Sequence, residues 1–377
     1  MIKRNFLAVL MPLFLSSSCS VNAMEIYNKN GNKVDIYGEL NPLYFYSHSN
    51  DPFLLNSLGN YTHFTFGMYS RSDINQFISG YFSFEYKPKF CTYNEKIYVN
   101  STKNDIDLSY VGLDLGKWGT IDYGRNYGVM YYAKQFTDKA FDNSENITLH
   151  EDDNFLVGRA NGLLTYHNKN LSGYIKGLEL TLQHQSYYNK ENMFLSDKYN
   201  DSWGTSLRYN TDFGFTLVGS AFFSPYDNTR NKVNLENHWV KSYGIGWNYS
   251  FHNVSVSGFY GHSKNSAASF IKNHCIYDVL DNIEIAGSYD FNNGLKSSIG
   301  YIKSFGTEYS FGQNIKNAKS ATLNNHINLI VTYNFNKNFV ANFHYKLNLL
   351  KNFPVNSNSE LSHYFDNCVG AGFSYIF

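Results

Sequence analysis

Charge, cysteine and long apolar runs are all scarce in this chain. Charged residues make up 16% of it, where a soluble domain of ordinary composition carries about a quarter. Acidic and basic residues balance at 31 each, so the sequence lacks the basic surplus that would mark a nucleic acid as a partner. Of the four cysteines, Cys19 falls in the first two dozen residues. Cys91, Cys275 and Cys368 form no CxxC or His/Cys grouping that would indicate a zinc site, and their spacing allows one disulfide without requiring it. Beyond the N-terminal segment no apolar run approaches the ~18 residues of a transmembrane helix. No linker, low-complexity tract or composition shift divides the chain, and the reading is one domain.

Aromatic residues are abundant. They account for 18% of the chain, with 33 Tyr and 31 Phe. That excess fits a membrane barrel with aromatic girdles, and composition alone fits a large secreted β-protein equally. The N-terminus has the form of a secretory signal peptide. Lys3 and Arg4 are followed by an apolar run from Phe6 to Leu15 and by small residues at Val21 and Ala23. Cleavage after Ala23 divides the chain into residues 1–23, the leader, and 24–377, the mature domain. Cys19 follows three serines, a poor context for lipid attachment.

Alternation of period two recurs along the whole mature chain. Leu178, Leu180 and Leu182 oppose Glu179, Thr181 and Gln183; Tyr243, Ile245, Trp247 and Tyr249 oppose Ser242, Gly244, Gly246 and Asn248. The chain ends on Val369, Ala371, Phe373, Tyr375 and Phe377. Connections are short and long by turns. Ser72-Asp73, His252-Asn253 and Asn336 to Asn338 are short; Lys87 to Asn104, Ser263 to Cys275 and Asn352 to Ser362 are long. Short turns at one end and long loops at the other are the pattern of an up-and-down outer-membrane barrel. The length accommodates about sixteen antiparallel transmembrane strands. A sheet that wide encloses water and needs no hydrophobic interior. The expected fold is thus all-β.

The longest departure from alternation lies between Gly119 and Arg159. Roughly thirty residues there lack a clear period, which marks a functional loop. It holds Asp138, Asp142, Glu145, Glu151, Asp152 and Asp153. The last three are read as a solvated face.

Several segments carry a family resemblance. They are Glu25 to Gly38 (EIYNKNGNKVDIYG), Ile121 to Val129 (IDYGRNYGV), Phe155 to Arg159 (FLVGR) and the terminal Tyr375 to Phe377. In this order they resemble the enterobacterial general diffusion porins of the outer-membrane protein F and C type, across essentially the whole mature chain. The resemblance implies a sixteen-stranded trimeric barrel whose third loop folds into the lumen. It puts constriction carboxylates at Asp138 and Asp142, the latter where the family usually has Glu, on a loop slightly longer than the family pattern. The facing basic positions fall on Glu39, Thr65, Asp107 and Arg159, of which only Arg159 keeps the base. Arg125 matches a residue that meets an acid of a neighbouring subunit, here Glu95. Phe377 matches the terminal aromatic by which barrel assembly machinery recognises its clients. Outer-membrane lipid and lipopolysaccharide are the implied surroundings, small hydrophilic solutes and ions the cargo, and no cofactor is implied.

Glu39 and Asp107 are read as facing the lumen, because an ionised side chain on the lipid face is destabilising, by up to roughly 2–4 kcal/mol for a base at the midplane and by less for an acid. Asp107 is further assigned there as in phase with Asp105 and Ser109. The expectation is a passive channel with an acidic constriction, preferring cations and losing that preference on acidification. A sugar-selective porin is the nearest alternative, though a longer chain would be expected. An outer-membrane barrel enzyme would need a Ser/His/acid or Asp/His site near one rim, and none of the 12 His stands in such a motif.

Overall fold

The structure is a computed structural model and describes residues 23–47, 60–93, 96–99, 106–138, 155–186, 188–189, 198–199, 201–225, 239–270, 273–310, 321–350 and 367–377. Residues 1–22, Glu95, Asp142 and the loop acids Glu145 and Glu151 to Asp153 lie outside them.

Sixteen antiparallel strands form the wall. They are β1 (Asn32–Ser47), β2 (Asn60–Asp73), β3 (Ser79–Tyr86), β4 (Ile106–Asp114), β5 (Thr120–Tyr127), β6 (Arg159–Lys169), β7 (Leu178–Gln185) and β8 (Ser202–Asn210). The second half comprises β9 (Phe215–Pro225), β10 (Trp239–Phe251), β11 (Val254–Phe270), β12 (Asn273–Asp290), β13 (Leu295–Ser310), β14 (Ala321–Asn334), β15 (Phe339–Asn348) and β16 (Cys368–Ile376). Each pairs with its sequence neighbours. The sheet closes where β16 meets β1, with Glu39 opposite Ile376 and Leu43 opposite Gly372. Gly38 and Phe377 exchange both backbone hydrogen bonds at 2.9 Å. A Cβ at Gly38 would stand 2.3 Å from the Phe377 ring, so the terminal aromatic lies flat over the seam.

Alternation sets the two faces. On β10, Tyr243 and Ile245 are exposed while Ser242, Gly244 and Gly246 are buried. The same holds on β9, where Leu217 and Phe223 face outward and Val218, Ser220 and Phe222 inward. Large apolar side chains thus line the outside, which suits a bilayer and would be unfavourable in water. Among the described residues no helix is long and apolar enough to cross a membrane.

Three connections differ from the sequence reading. The β2–β3 turn is at Ile74 to Ile78, because Asn75 Oδ1 accepts from the backbone N–H groups of Phe77 and Ile78 at 2.8 and 3.0 Å and fixes the reversal there. Within the stretch assigned to a long loop, Lys89–Tyr93 pairs with Lys96–Val99 as an outgrowth of the wall. The loop expected from Ser263 to Cys275 is mostly strand, since β11 and β12 stay in register up to Phe270 opposite Asn273.

Candidate functional site

The lumen is not uniformly polar. After β5 the chain turns inward at Gly128 and forms the short helix α1 (Val129–Lys134), which lies against the inner faces of β8, β9, β10 and β11. Val129, Met130, Ala133, Phe155 and Leu156 bury themselves with Val218, Phe222, Val240 and Phe259. An apolar cluster inside the barrel contradicts the expected absence of a hydrophobic interior. Its cause is the foot of the loop, which needs an apolar seat to stay docked, each such side chain gaining about 1.5–3 kcal/mol on burial.

Glycines make the seat. A Cβ at Gly246 would lie 1.7 Å from the Ala133 carbonyl oxygen, and one at Gly204 2.5 Å from a Val129 methyl. Backbone bonds tie both ends of the loop: Gly128 N–H donates to Gly158 O at 2.7 Å and Met130 N–H to Leu156 O at 3.1 Å. Beyond α1, Ser257 Oγ donates to Phe136 O at 2.8 Å. The Thr137 hydroxyl donates to the fully buried Glu284 on β12. Asp138 follows directly and is half-buried.

The opposing wall is a row across neighbouring strands. Glu39 on β1 stands opposite Thr65 on β2; Lys87, just past β3, and Asp107 on β4 continue it to Arg159 on β6. Arg159 Nη2 lies 3.1 Å from Asp107 Oδ2, and Lys87 Nζ lies 4.0 Å from the same oxygen. The Arg159 guanidinium is 5.0 Å from the centre of the Tyr127 ring, which stacks on Tyr131 at 4.0 Å. One step below, Tyr37 donates its hydroxyl to Glu85 Oε2 at 2.8 Å. It reaches that far by lying across Gly67, where a Cβ would meet the ring at 1.9 Å.

Asp107 arrives inward by a different route from the one its sequence phase implies. Ser109 belongs to the exposed row of Val111 and Leu113. The register skips Asp107 between the Glu85–Leu108 and Tyr86–Ile106 pairs, so Asp107 is the extra residue of a β-bulge that turns it inward. Arg125 shares the outward phase of Ile121 and Tyr123 yet is only 6% exposed, and its Nε donates to Ile106 O at 2.7 Å.

Lys87, Glu85, Glu284 and Tyr37 were missed by sequence reasoning. A signal existed for three of them. Ser83, Glu85 and Lys87 alternate in one phase, and Glu284 stands between Ile283 and Ile285. What no local pattern gives is that Lys87 restores a base beside Asp107. The row and its neighbour therefore hold Glu39, Glu85 and Asp107 against Lys87 and Arg159.

The family model for Gram-negative porins matches residues 29–377. The chain belongs to that family. This porin is 36% identical to a porin-like protein of Buchnera aphidicola subsp. Schizaphis graminum, the match covering 98% of each chain. It is 30% identical to outer membrane porin F of Escherichia coli K12 over the full length of both. Among solved structures, OmpF of Salmonella typhi in complex with daunomycin superposes with a TM-score of 0.77 at 28% identity, covering 94% of this chain and 100% of the other. The porin is accordingly a non-enzymatic diffusion channel of the outer membrane, in a family of trimeric channels that pass solutes.

Proposed function

We propose that this porin is a general diffusion channel whose narrowest part prefers cations, with Glu39, Asp107, Asp138 and Asp142 supplying the carboxylates and Arg159 and Lys87 the opposing bases. The observation that carries the reading is the row from Glu39 to Arg159. It presents an acid at the free end, and its Asp107 carboxylate is shared by Arg159 at 3.1 Å and Lys87 at 4.0 Å. Among the described residues, Glu39 has no ion pair and no side-chain hydrogen bond. Charge on a narrow, partly desolvated wall acts on passing ions with less screening than in bulk water.

Lys87 makes the preference milder than the sequence alone implies, because it cancels one of the two acids that replaced the family's bases. In the trimer, Arg125 would face a neighbouring copy, with Glu95 as its acid. Phe377, sealed over the seam, would serve assembly as well as closure, and the leader would be removed on export. The test is the zero-current potential of the reconstituted porin in a KCl gradient. A cation-selective potential supports the reading, and a potential of the opposite sign with ohmic channels would sink the charge assignment while leaving the diffusion channel intact.

A further inference from the structure

On β5 a buried carboxylate is held by neutral groups. Asp122, 7% exposed, accepts from the Tyr81 hydroxyl at 3.0 Å and from Asn126 Nδ2 at 2.9 Å. The Thr165 hydroxyl is its third donor. Among the described residues no base pairs with it. A buried charge without a counter-ion is costly, so its place on the wall has a cause beyond packing.

That cause lies at the next residue of the network. A carboxylate only accepts hydrogen bonds, whereas an amide both donates and accepts. Asp122 therefore fixes which way the Asn126 amide points. Its Nδ2 faces the carboxylate, and its Oδ1 accepts from the backbone N–H of Tyr127 at 2.8 Å. The Tyr127 carbonyl accepts from Gln183 Nε2 at 2.6 Å, and the same nitrogen donates to Thr165 Oγ1 at 3.1 Å. Buried side chains thus hold both backbone groups of Tyr127 where β5 leaves the wall. The strand needs this hold, because its register on β6 shifts between Gly124 and Asn126. The bulge turns Tyr127 into the lumen, although Ile121 and Tyr123, of the same phase, are exposed on the outside. There its ring carries the Arg159 guanidinium at 5.0 Å, and Arg159 Nη2 donates to its hydroxyl at 3.4 Å.

We infer that Asp122 and Asn126 are positioning residues for charge selectivity. They fix the Tyr127 ring as a platform that keeps the Arg159 guanidinium against the wall, beside Asp107, and out of the ion path. The inference rests on the reading of Arg159 as a base of the constriction. Without the platform the long side chain gains rotamers that carry its charge toward the axis, where it repels cations more strongly.

Zero-current potentials in a KCl gradient test this, measured for Asn126→Ala and Asp122→Asn in the parent porin and again in an Arg159→Gln background. Asn126→Ala changes no charge. It should nevertheless lower the ratio of cation to anion permeability about twofold at 0.1 M salt, as a unit charge moved nearer the path would. In the Arg159→Gln background the same substitution should leave the ratio unchanged, because the charge that moves is gone. Asp122→Asn keeps the side-chain volume and supplies the test should Asn126→Ala fail to insert. Its own lost charge acts in both backgrounds, and the fall should be larger by about twofold where Arg159 is present. An unchanged ratio for Asn126→Ala in the parent porin would overturn the inference. So would an equal fall with and without Arg159, which would mark a general loosening of the wall. The sign of the parent's own potential tests the charge reading of the constriction separately, since the inference is read only from the difference between backgrounds.

Discussion

Neutralising Glu39 isolates the field of the wall from its shape. The side chain is half-buried, faces the lumen opposite Thr65, and has no ion pair among the described residues, so Glu39→Gln removes a charge without orphaning a partner. A lower bound on the effect takes an ion ~8 Å from the carboxylate and the full screening of water. In water a unit charge at that distance is worth about 0.5 kcal/mol, and screening at 0.1 M salt leaves about 0.2 kcal/mol. The sign is opposite for K⁺ and Cl⁻, so the two effects add in the permeability ratio. Their sum predicts about a twofold fall in cation over anion permeability. Across a tenfold KCl gradient that is a shift of the zero-current potential by roughly ten millivolts toward zero.

The dependence on salt is the sharper part of the test. At 1 M the screening length falls to about 3 Å, and the same substitution should change the ratio by only about a tenth. Unit conductance should hardly move at either concentration, since Glu and Gln are nearly isosteric. A shift of equal size at both concentrations would mean that the substitution reshaped the pore. No shift at 0.1 M would mean that Glu39 is not part of the conducting surface.

Arg159→Gln should move selectivity the other way, raising cation preference about twofold at 0.1 M, read by the same potential. Gly246→Val should unseat α1, because its Cβ position is 1.7 Å from the Ala133 carbonyl oxygen. Heat-modifiability gels should show lower stability, by about 1–3 kcal/mol, and single-channel records a larger or noisier conductance. Gly219→Val is the control, with nothing within 4 Å of its added Cβ, and should leave both unchanged. Glu284→Ala removes the acceptor of the Thr137 hydroxyl and should increase current flicker at a cost of about 1–3 kcal/mol; records as quiet as the parent's would show that the loop needs no such anchor.

Barrel architecture was legible because its signal is repeated. Each strand shows the same period, and an error in one phase is corrected by its neighbours. Tyr243 to Tyr249 against Ser242 to Asn248 gave the two faces of β10 directly. The glycines in that pattern were equally visible, but their purpose was not, since only the folded chain brings Ala133 against Gly246. Strand phase puts Glu39 in step with the buried Asp35 and Tyr37, and phase misleads where the period breaks. Asp107 reaches the lumen through a bulge, and a bulge leaves no mark in composition. Lys87 escaped notice because it follows the last residue of a strand, and its partner lies on a different one. The Tyr37–Glu85 bond crosses an intervening strand at Gly67, a contact that no spacing along the chain encodes.

The mixed sign of the row follows from what a channel must do. Three carboxylates gathered on a narrow wall would repel one another and hold a cation tightly, and conduction requires that an ion leave as readily as it enters. Placing Lys87 and Arg159 around Asp107 removes most of that repulsion within the wall. On the proposed reading, the surplus that remains is a single charge from Glu39, Glu85 and Asp107 against two bases, which would enrich cations without trapping them. Tyr37 contributes to the same end by donating to Glu85 at 2.8 Å, which spreads that carboxylate's charge into a neutral hydroxyl. Replacing Lys87 by Met should therefore do more than raise selectivity. It should also slow passage of divalent cations, seen as longer Mg²⁺-induced closures, and if those closures keep their parental duration the offset between Lys87 and Asp107 has no part in release.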